Sequence, residues 1–294
     1  MTESGESRGG PGPDHGSYGS VLVATDLSEG SDALVRAASD VAARSGGALH
    51  VVHAVDVLSA ASGGAVGTFE ERVALAENDV AEQVRRAAHP AVVAERHVSA
   101  SAPDRAILDR AEAVGADLIV VGPHVRRAAG RLLGSTAERV LAGAGVACLV
   151  VRTPVVIPAH HVVAAVDPRH LMDPVLESAV RWALLFGDTS VPRVSALYVT
   201  GDRDAEPPAE LDAALRSALA RWHAADRVHA ATAVRGTDVV ESIVLYAEVE
   251  ASDLLVMSTH SCGVLGRALL GSISAEVTRR APCNVLLVPP EAQR

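Results

Sequence analysis

The sequence predicts an α/β fold made twice: two tandem doubly wound domains, each a five-stranded parallel sheet flanked by helices. Three observations predict it. Short Val-rich runs alternate with helical stretches along the whole chain. The core has to be built from small aliphatic side chains, because aromatics are only 2 % of the residues while hydrophobic residues are 49 %. The pattern of the first half also returns in the second, in the same order, at an offset of about 140 residues.

The alternation reads as strands near 20–25, 48–55, 91–98, 117–122 and 146–151, with helices near 30–45, 70–88, 103–114 and 135–143. In the second half, strands fall near 161–166, 193–199, 228–234, 253–258 and 284–288. A strand that returns through a helix to a parallel neighbour makes a right-handed crossover, and a run of such units winds an open sheet. Helix three should start at Ser101-Ala-Pro103-Asp104, a polar cap followed by a proline in the first turn. Strands buried on both faces suit the Ala, Val and Leu composition.

The repeat is carried by three segments. Asp117-Leu-Ile-Val-Val-Gly-Pro-His124 returns as Asp253-Leu-Leu-Val-Met-Ser-Thr-His260. Gly130-Arg-Leu-Leu-Gly-Ser135 returns as Gly266-Arg-Ala-Leu-Leu-Gly-Ser272, and Val21-Leu-Val-Ala-Thr-Asp26 as Val162-Val-Ala-Ala-Val-Asp167. At 294 residues the chain holds two domains, each large enough to bury its own core. They are assigned to residues 20–152 and 161–290, joined by a Pro-flanked linker at 153–160. Residues 1–19, rich in Gly, Ser, Pro and acidic residues, read as a disordered tail rather than a signal peptide.

Composition excludes several functions. A net charge of −10 argues against nucleic acid, which needs a basic face to release phosphate counterions. All 26 basic residues are arginine, so no phosphate-gripping lysine of the P-loop kind exists. Cys148, Cys262 and Cys283 form no CxxC pair, which disfavours a disulfide framework or zinc and fits a reducing cytoplasm. No apolar run reaches the ~18 residues of a membrane span. No Gly-x-Ser-x-Gly elbow between a predicted strand and helix, no His-Glu-x-x-His helix and no Walker A motif occurs, so no catalytic residue and no metal ligand is assigned.

Ligands of an open parallel sheet bind beyond the carboxyl ends of strands where the winding reverses. The loops after strands one and four of each copy are therefore the candidate site. Ala24, Thr25 and Asp26 end the first strand of copy one, and Val166 and Asp167 end that of copy two. A carboxylate there can accept from a ribose hydroxyl or an adenine amine; a loop or cap aspartate is the plainer reading. Strand four opens into Gly122 and Val125, then Gly134, Ser135 and Thr136 begin a helix. Copy two offers Ser258 and Ser261, then Gly271, Ser272 and Ile273. Small residues let a phosphate approach the backbone, and N–H groups at a helix start hold anions.

These segments resemble the universal stress protein family over about residues 20–290. The resemblance rests on Val21 to Ser28, the Asp-Leu-Ile-Val-Val-Gly-x-His stretch, the Leu-Leu-Gly-Ser helix start and Ala-Pro-Cys-Asn-Val-Leu-Leu-Val at 281–288. It implies a five-stranded sheet, two-fold pairing of domains and, in some members, ATP bound through Gly-x-x-Gly, nine residues, then Gly-Ser. Both copies depart from that binding pattern. Copy one has Val125 at the second glycine, with eight residues before Gly134; copy two keeps nine but has Ser258 and Ser261 at the glycines. Valine resists left-handed torsions and fills space near a phosphate, whereas serine is small and can donate to one.

Other residues carry less. His124 and His260 share the fourth-strand loop; Arg126, Arg127, Arg131 and Arg267 flank it. His160 and His161 open a strand and should point to opposite faces, which disfavours a shared metal. Cys262 would be a redox handle only with a stabilised thiolate. The sequence therefore predicts a cytoplasmic, non-enzymatic stress-response protein that binds an adenine nucleotide, ATP, and acts through conformation or assembly. The alternative is a scaffold of the same fold that works through protein contacts without nucleotide; a nucleotide hydrolase is the third reading. The two copies are expected to pair through their fifth strands, whose apolar edges need cover, and the chain to pair again as a homodimer.

Overall fold

The computed structural model describes residues 18–55, 68–122, 133–168, 172–187, 193–201, 208–222, 229–259 and 270–290. Copy one runs β1 (Ser20–Thr25), α1 (Glu29–Ser45), β2 (Ala48–Ala54), α2 (Phe69–Ala87), β3 (Ala94–Ser99), α3 (Pro103–Ala113), β4 (Leu118–Val121), α4 (Ser135–Gly143) and β5 (Ala147–Val150). Copy two repeats it as β6 (His161–Ala165), α5 (Met172–Phe186), β7 (Arg193–Thr200), α6 (Ala209–Arg221), β8 (His229–Arg235), α7 (Val239–Val249), β9 (Leu254–Ser258), α8 (Ser272–Arg280) and β10 (Asn284–Val288). The alternation expected from the sequence is the alternation found.

One ten-stranded sheet results, in the order β3-β2-β1-β4-β5-β10-β9-β6-β7-β8. Every neighbouring pair is parallel except β5 with β10, which is antiparallel. Within each copy the chain winds outward through three strands, then crosses back to place its fourth strand on the other side of the first. That reversal sits between β1 and β4 and again between β6 and β9. The aliphatic side chains on the two sheet faces form two separate cores under the helices, with Leu22, Ile119, Val163 and Leu255 in one and Val21, Val120, Val162 and Leu254 in the other.

An aspartate anchors the start of each central strand. The Asp117 carboxylate accepts from the Ser20 N–H at 3.0 Å, and Asp253 accepts from His160 and His161 N–H at 2.6 and 3.0 Å. The repeated Asp-Leu stretch thus opens with a clamp that holds strand one to strand four.

The copies join as predicted, through their fifth strands. Leu149 lies opposite Leu286, both with no exposure, flanked by Val150 with Val285 and Cys148 with Leu287. Ala147 pairs with Leu118 where Asn284 pairs with Leu254, so Leu149 and Leu286 are equivalent residues facing each other on the pseudo-two-fold axis. Away from the axis the joint loses its symmetry. The Asn284 side-chain oxygen accepts from the N–H groups of Arg152 and Thr153 at 2.8 and 3.0 Å, where copy one has only Ala147. Arg279 binds Glu138 at 2.8 Å, and Arg44 donates to the carbonyls of Leu185 and Gly187 at 2.8 and 3.1 Å.

Three local expectations need correction. Tyr18, read with the tail, is 1 % exposed: the Arg181 guanidinium lies 4.0 Å over its ring and Trp182 meets it edge-on at 6.1 Å. Gly19 follows it into the fold, its carbonyl accepting from Ala48 N–H at 2.8 Å; the rest of the tail, 1–17, lies outside the described residues. Strand three starts at Ala94 rather than 91, because the Val92 N–H turns back to the His89 carbonyl at 3.0 Å. Helix α3 starts on Ala102 and Pro103 with no side-chain cap; the Ser101 hydroxyl is 2.8 Å from that of Ser99 instead.

Candidate functional site

Because β1 pairs with β4 and β6 with β9, their carboxyl ends lie side by side at the two reversals. Strand one of each copy delivers the aspartate, and strand four leads to the helix that starts at Gly-Ser. In copy one, Ala24 is half-buried and Thr25 is 7 % exposed, while Asp26 is exposed beyond the strand end. One Asp26 oxygen accepts from both the N–H of Ser28 at 3.0 Å and its hydroxyl at 2.6 Å. Ser28, not Asp26, is the N-cap of α1. Leu27 between them has φ of 62°, a left-handed torsion that costs an L residue with a Cβ about 1–2 kcal/mol.

That torsion is held from below. The Leu27 N–H donates to the Thr25 hydroxyl at 3.0 Å, and the hydroxyl donates to Gln83 Oε1 at 2.6 Å. Gln83, on α2 and 2 % exposed, reaches the Ser31 hydroxyl at 3.0 Å and Asp32 at 2.8 Å through its amide nitrogen. Arg86 grips both Asp32 oxygens at 2.8 Å. Its paired hydrogen bonds hold the Asp32 carboxyl below the usual carboxylate range against the opposing cost of burial. His53, next to the end of β2 and opposite Thr25, brings Nδ1 to 2.9 Å from the Thr25 carbonyl; that oxygen can only accept, so Nδ1 carries the proton.

Copy two builds the same place differently. Val166, buried at 9 % exposure, stands where Thr25 does, and Pro168 follows Asp167 where Leu27 follows Asp26. Proline fixes φ near −65°, so this loop cannot make the left-handed turn of copy one. Helix α6 buries only Leu211, Leu215, Ala218 and Leu219, leaving no counterpart to Gln83.

The fourth-strand side differs as well. Gly122 ends β4 against Leu34, whose methyl carbons would lie 2.7 and 2.8 Å from an added Cβ, so its small size is used in packing. Gly134 is the N-cap of α4 and Gly271 of α8, both with extended torsions and no side-chain cap. Ser135 is the exposed first residue of α4, Thr136 is half-buried behind it, and Ser272 with half-buried Ile273 opens α8. In copy two the stem is tied: Gly271 N–H donates to the Thr259 carbonyl at 2.8 Å, and Ser274 Oγ to the Ser258 carbonyl at 2.7 Å. The residue at that place in α4 is Ala137, which has no hydroxyl to do this. Val125, Ser261, His124, His260, Cys262 and Arg126, Arg127, Arg131 and Arg267 lie outside the described residues.

Both halves of the chain match the family model described as the universal stress protein family, over residues 17–152 and 158–289. The chain belongs to the universal stress protein family. Universal stress protein A homolog 2 of Coxiella burnetii is 36 % identical over 145 residues, spanning 46 % of this chain and 95 % of that protein. Homolog 1 of the same organism is 30 % identical over 131 residues, 42 % of this chain and 89 % of its own length. Among solved structures, a universal stress protein from Archaeoglobus fulgidus covers 94 % of this chain and 99 % of its own, at TM-score 0.70 and 21 % identity. That likeness is one of fold, and it extends across both copies.

Other chemistry-bearing residues are absorbed by the fold. Burial pushes the Cys148 and Cys283 thiols up to about 12, away from thiolate reactivity. His161 is buried with Nε2 2.9 Å from the Ser195 hydroxyl and Nδ1 3.2 Å from the Glu250 carbonyl, whereas His160 is mostly exposed beside Asp253. The two rings share no partner. No group of three metal-ligating side chains occurs, and no helix is long and apolar enough to cross a membrane, among the described residues. Reading the sequence missed Gln83, Leu27 and Pro168. Gln83 had a signal: it occupies a core position of α2, in series with Ala76, Val80 and Ala87 at helical spacing.

Proposed function

We propose that this universal stress protein binds an adenine nucleotide, ATP, where the strand-one aspartate of each copy meets the Gly-Ser helix start, and that it acts through occupancy rather than turnover. The observation that carries the reading is the paired reversal. In both copies a carboxylate and an uncapped helix N-terminus lie beyond adjacent strand ends at the switch point of the winding. A carboxylate suits the ribose hydroxyls or adenine amine, and first-turn N–H groups, which have no partner within their helix, suit phosphate oxygens. Asp26 and Asp167 are assigned to the nucleoside, and Gly134, Ser135, Gly271 and Ser272 to the phosphates. Because the two sites share one continuous sheet, occupancy of either stiffens the other's frame, and the stress response would be read from that change by partners.

Native mass spectrometry of the whole chain with ATP tests this. The expected result is a mass increment of one or two nucleotides, lost stepwise in Asp26→Ala and Gly271→Val. Calorimetry that shows no heat at millimolar ATP would remove the nucleotide and leave the scaffold reading standing.

A further inference from the structure

The buried polar cluster beneath Asp26 has no role in strand pairing, and among the described residues Val166 and the buried face of α6 do not repeat it in copy two. Its centre is Gln83, an amide in an otherwise apolar helix face. The Thr25 and Ser31 hydroxyls lie 2.9 Å apart, where either can donate, and the other bonds run one way. Thr25 donates to Gln83 Oε1 and accepts from Leu27 N–H; Gln83 Nε2 donates to Ser31 and Asp32; Ser31 donates to the Ser28 carbonyl at 2.7 Å. A threonine hydroxyl has one proton. Giving it to Gln83 turns a lone pair toward Leu27, and that lone pair is what receives the N–H of the strained residue. The strained torsion in turn places Asp26 against Ser28. Unusual torsions in non-glycine residues persist only where the surroundings over-determine them.

We infer that Gln83 is a positioning residue for the nucleoside half of the copy-one site: through Thr25 it fixes the Leu27 turn that presents Asp26. The inference rests on the reading that Asp26 holds the nucleoside. Copy one is therefore preorganised on the nucleoside side by side-chain bonds that Val166, Pro168 and the buried face of α6 do not reproduce in copy two. Preorganisation appears as affinity, because the ordering cost is met before the ligand arrives.

The test is a double-mutant cycle on the full chain in a Gly271→Val background, so that copy one alone is read. Gln83→Met keeps the shape and removes the hydrogen bonds. Affinities for AMP and for ATP should fall together by about tenfold, the scale of one or two lost hydrogen bonds. The same change added to Asp26→Ala should cost nothing further. If it weakens binding equally with and without Asp26, or leaves AMP binding intact, the positioning role is wrong. Hydrogen exchange separates this from the nucleotide reading. Even in a wild-type chain that binds no nucleotide, Gln83→Met should speed exchange at the Leu27 amide and leave the β10 amides unchanged; unchanged exchange at Leu27 overturns the inference by itself. Should Gln83→Met fail to fold, Thr25→Val removes the same relay and is read by the same two measurements.

Discussion

The two copies are nearly superimposable in plan and opposite in how they hold the loop after their first strand. Copy one uses side chains: Gln83, Thr25, Ser31 and Asp32 fix a turn that contains a left-handed leucine. Copy two uses backbone chemistry, a proline after the aspartate over a buried valine. At the other wall the difference reverses. There copy two ties its loop stem with Ser274 and the Gly271 N–H, while copy one has Ala137. Among the described residues, the side-chain ties fall on the first-strand wall in copy one and on the fourth-strand wall in copy two. A duplicated fold can thus keep its frame and let each half settle a different part of the site.

The frame itself should be the most sensitive part. Leu149→Arg puts a guanidinium on the pseudo-axis against Leu286, in a place with no exposure and apolar strand partners. A buried unpaired charge costs about 3–5 kcal/mol, a large share of a domain's stability. The expected outcome is a separated pair of domains by small-angle scattering and a fall in melting point of many degrees. Leu149→Ala should cost about 2–5 kcal/mol through its cavity but leave the compact shape. A compact, equally stable Leu149→Arg chain would mean that the fifth strands do not hold the copies together in solution.

Exchanging the loop chemistry tests the comparison directly. Leu27→Pro forbids the 62° torsion and deletes the N–H that Thr25 accepts, for a loss of about 2 kcal/mol. The reciprocal Pro168→Leu removes only a restraint on the unfolded chain, worth about 0.4–1 kcal/mol. Denaturant titrations should rank them in that order. Equal effects would mean that the Leu27 turn is not populated.

Much of this was legible in the sequence because it is periodic or repeated. The strands follow from alternating Val-rich runs, and the fifth-strand joint follows from Val146 to Val151 and Asn284 to Val288 needing cover on an open edge. What escaped lies in contacts between distant segments. Gln83 touches Thr25 across 58 positions of sequence, and nothing local to either residue announces it. Tyr18 looked like tail because its neighbours do, yet its ring is held by Arg181 and Trp182 of the other copy. The Ser101 cap failed for a local reason: Ser99 competes for the same hydroxyl.

A pH difference between the copies follows from His161, which stands in copy two where Ser20 stands in copy one; both side chains approach the C-cap carbonyl of the helix before strand four, Glu250 and Val114. Burial lowers the His161 imidazole below its ordinary value, over the opposing pull of the Glu250 carbonyl. The folded state therefore prefers it neutral. Its contribution is present above the unfolded value of about 6.5 and is lost as pH falls from there through the lower folded value. Stability of the wild type should decline on going from pH 7.5 to 5.5 more than that of His161→Asn. Parallel pH curves for the two would remove the histidine as the cause.

The smallest expected effect is the outermost bond of the copy-one network. Arg86 is exposed, so its pair with Asp32 is screened and Arg86→Ala should cost little stability at neutral pH. The sign of its pH dependence is fixed by the direction of the Asp32 shift. Arg86 holds that carboxyl below its unfolded value of about 3.9, so the pair contributes above that value and its contribution disappears as pH drops through the lower folded one. Wild type and Arg86→Ala should converge in stability as pH falls through that lower folded value, and added salt at pH 7 should narrow their difference. Gln83 also donates to Asp32, and it lies inside the fold where salt does not reach. The salt-sensitive part of the network is thus its rim, and the part that sets the turn is not. Salt that leaves exchange at the Leu27 amide unchanged but erases the Arg86 effect is the expected pattern; salt that loosens both would mean that the arginine, not the glutamine, holds the loop.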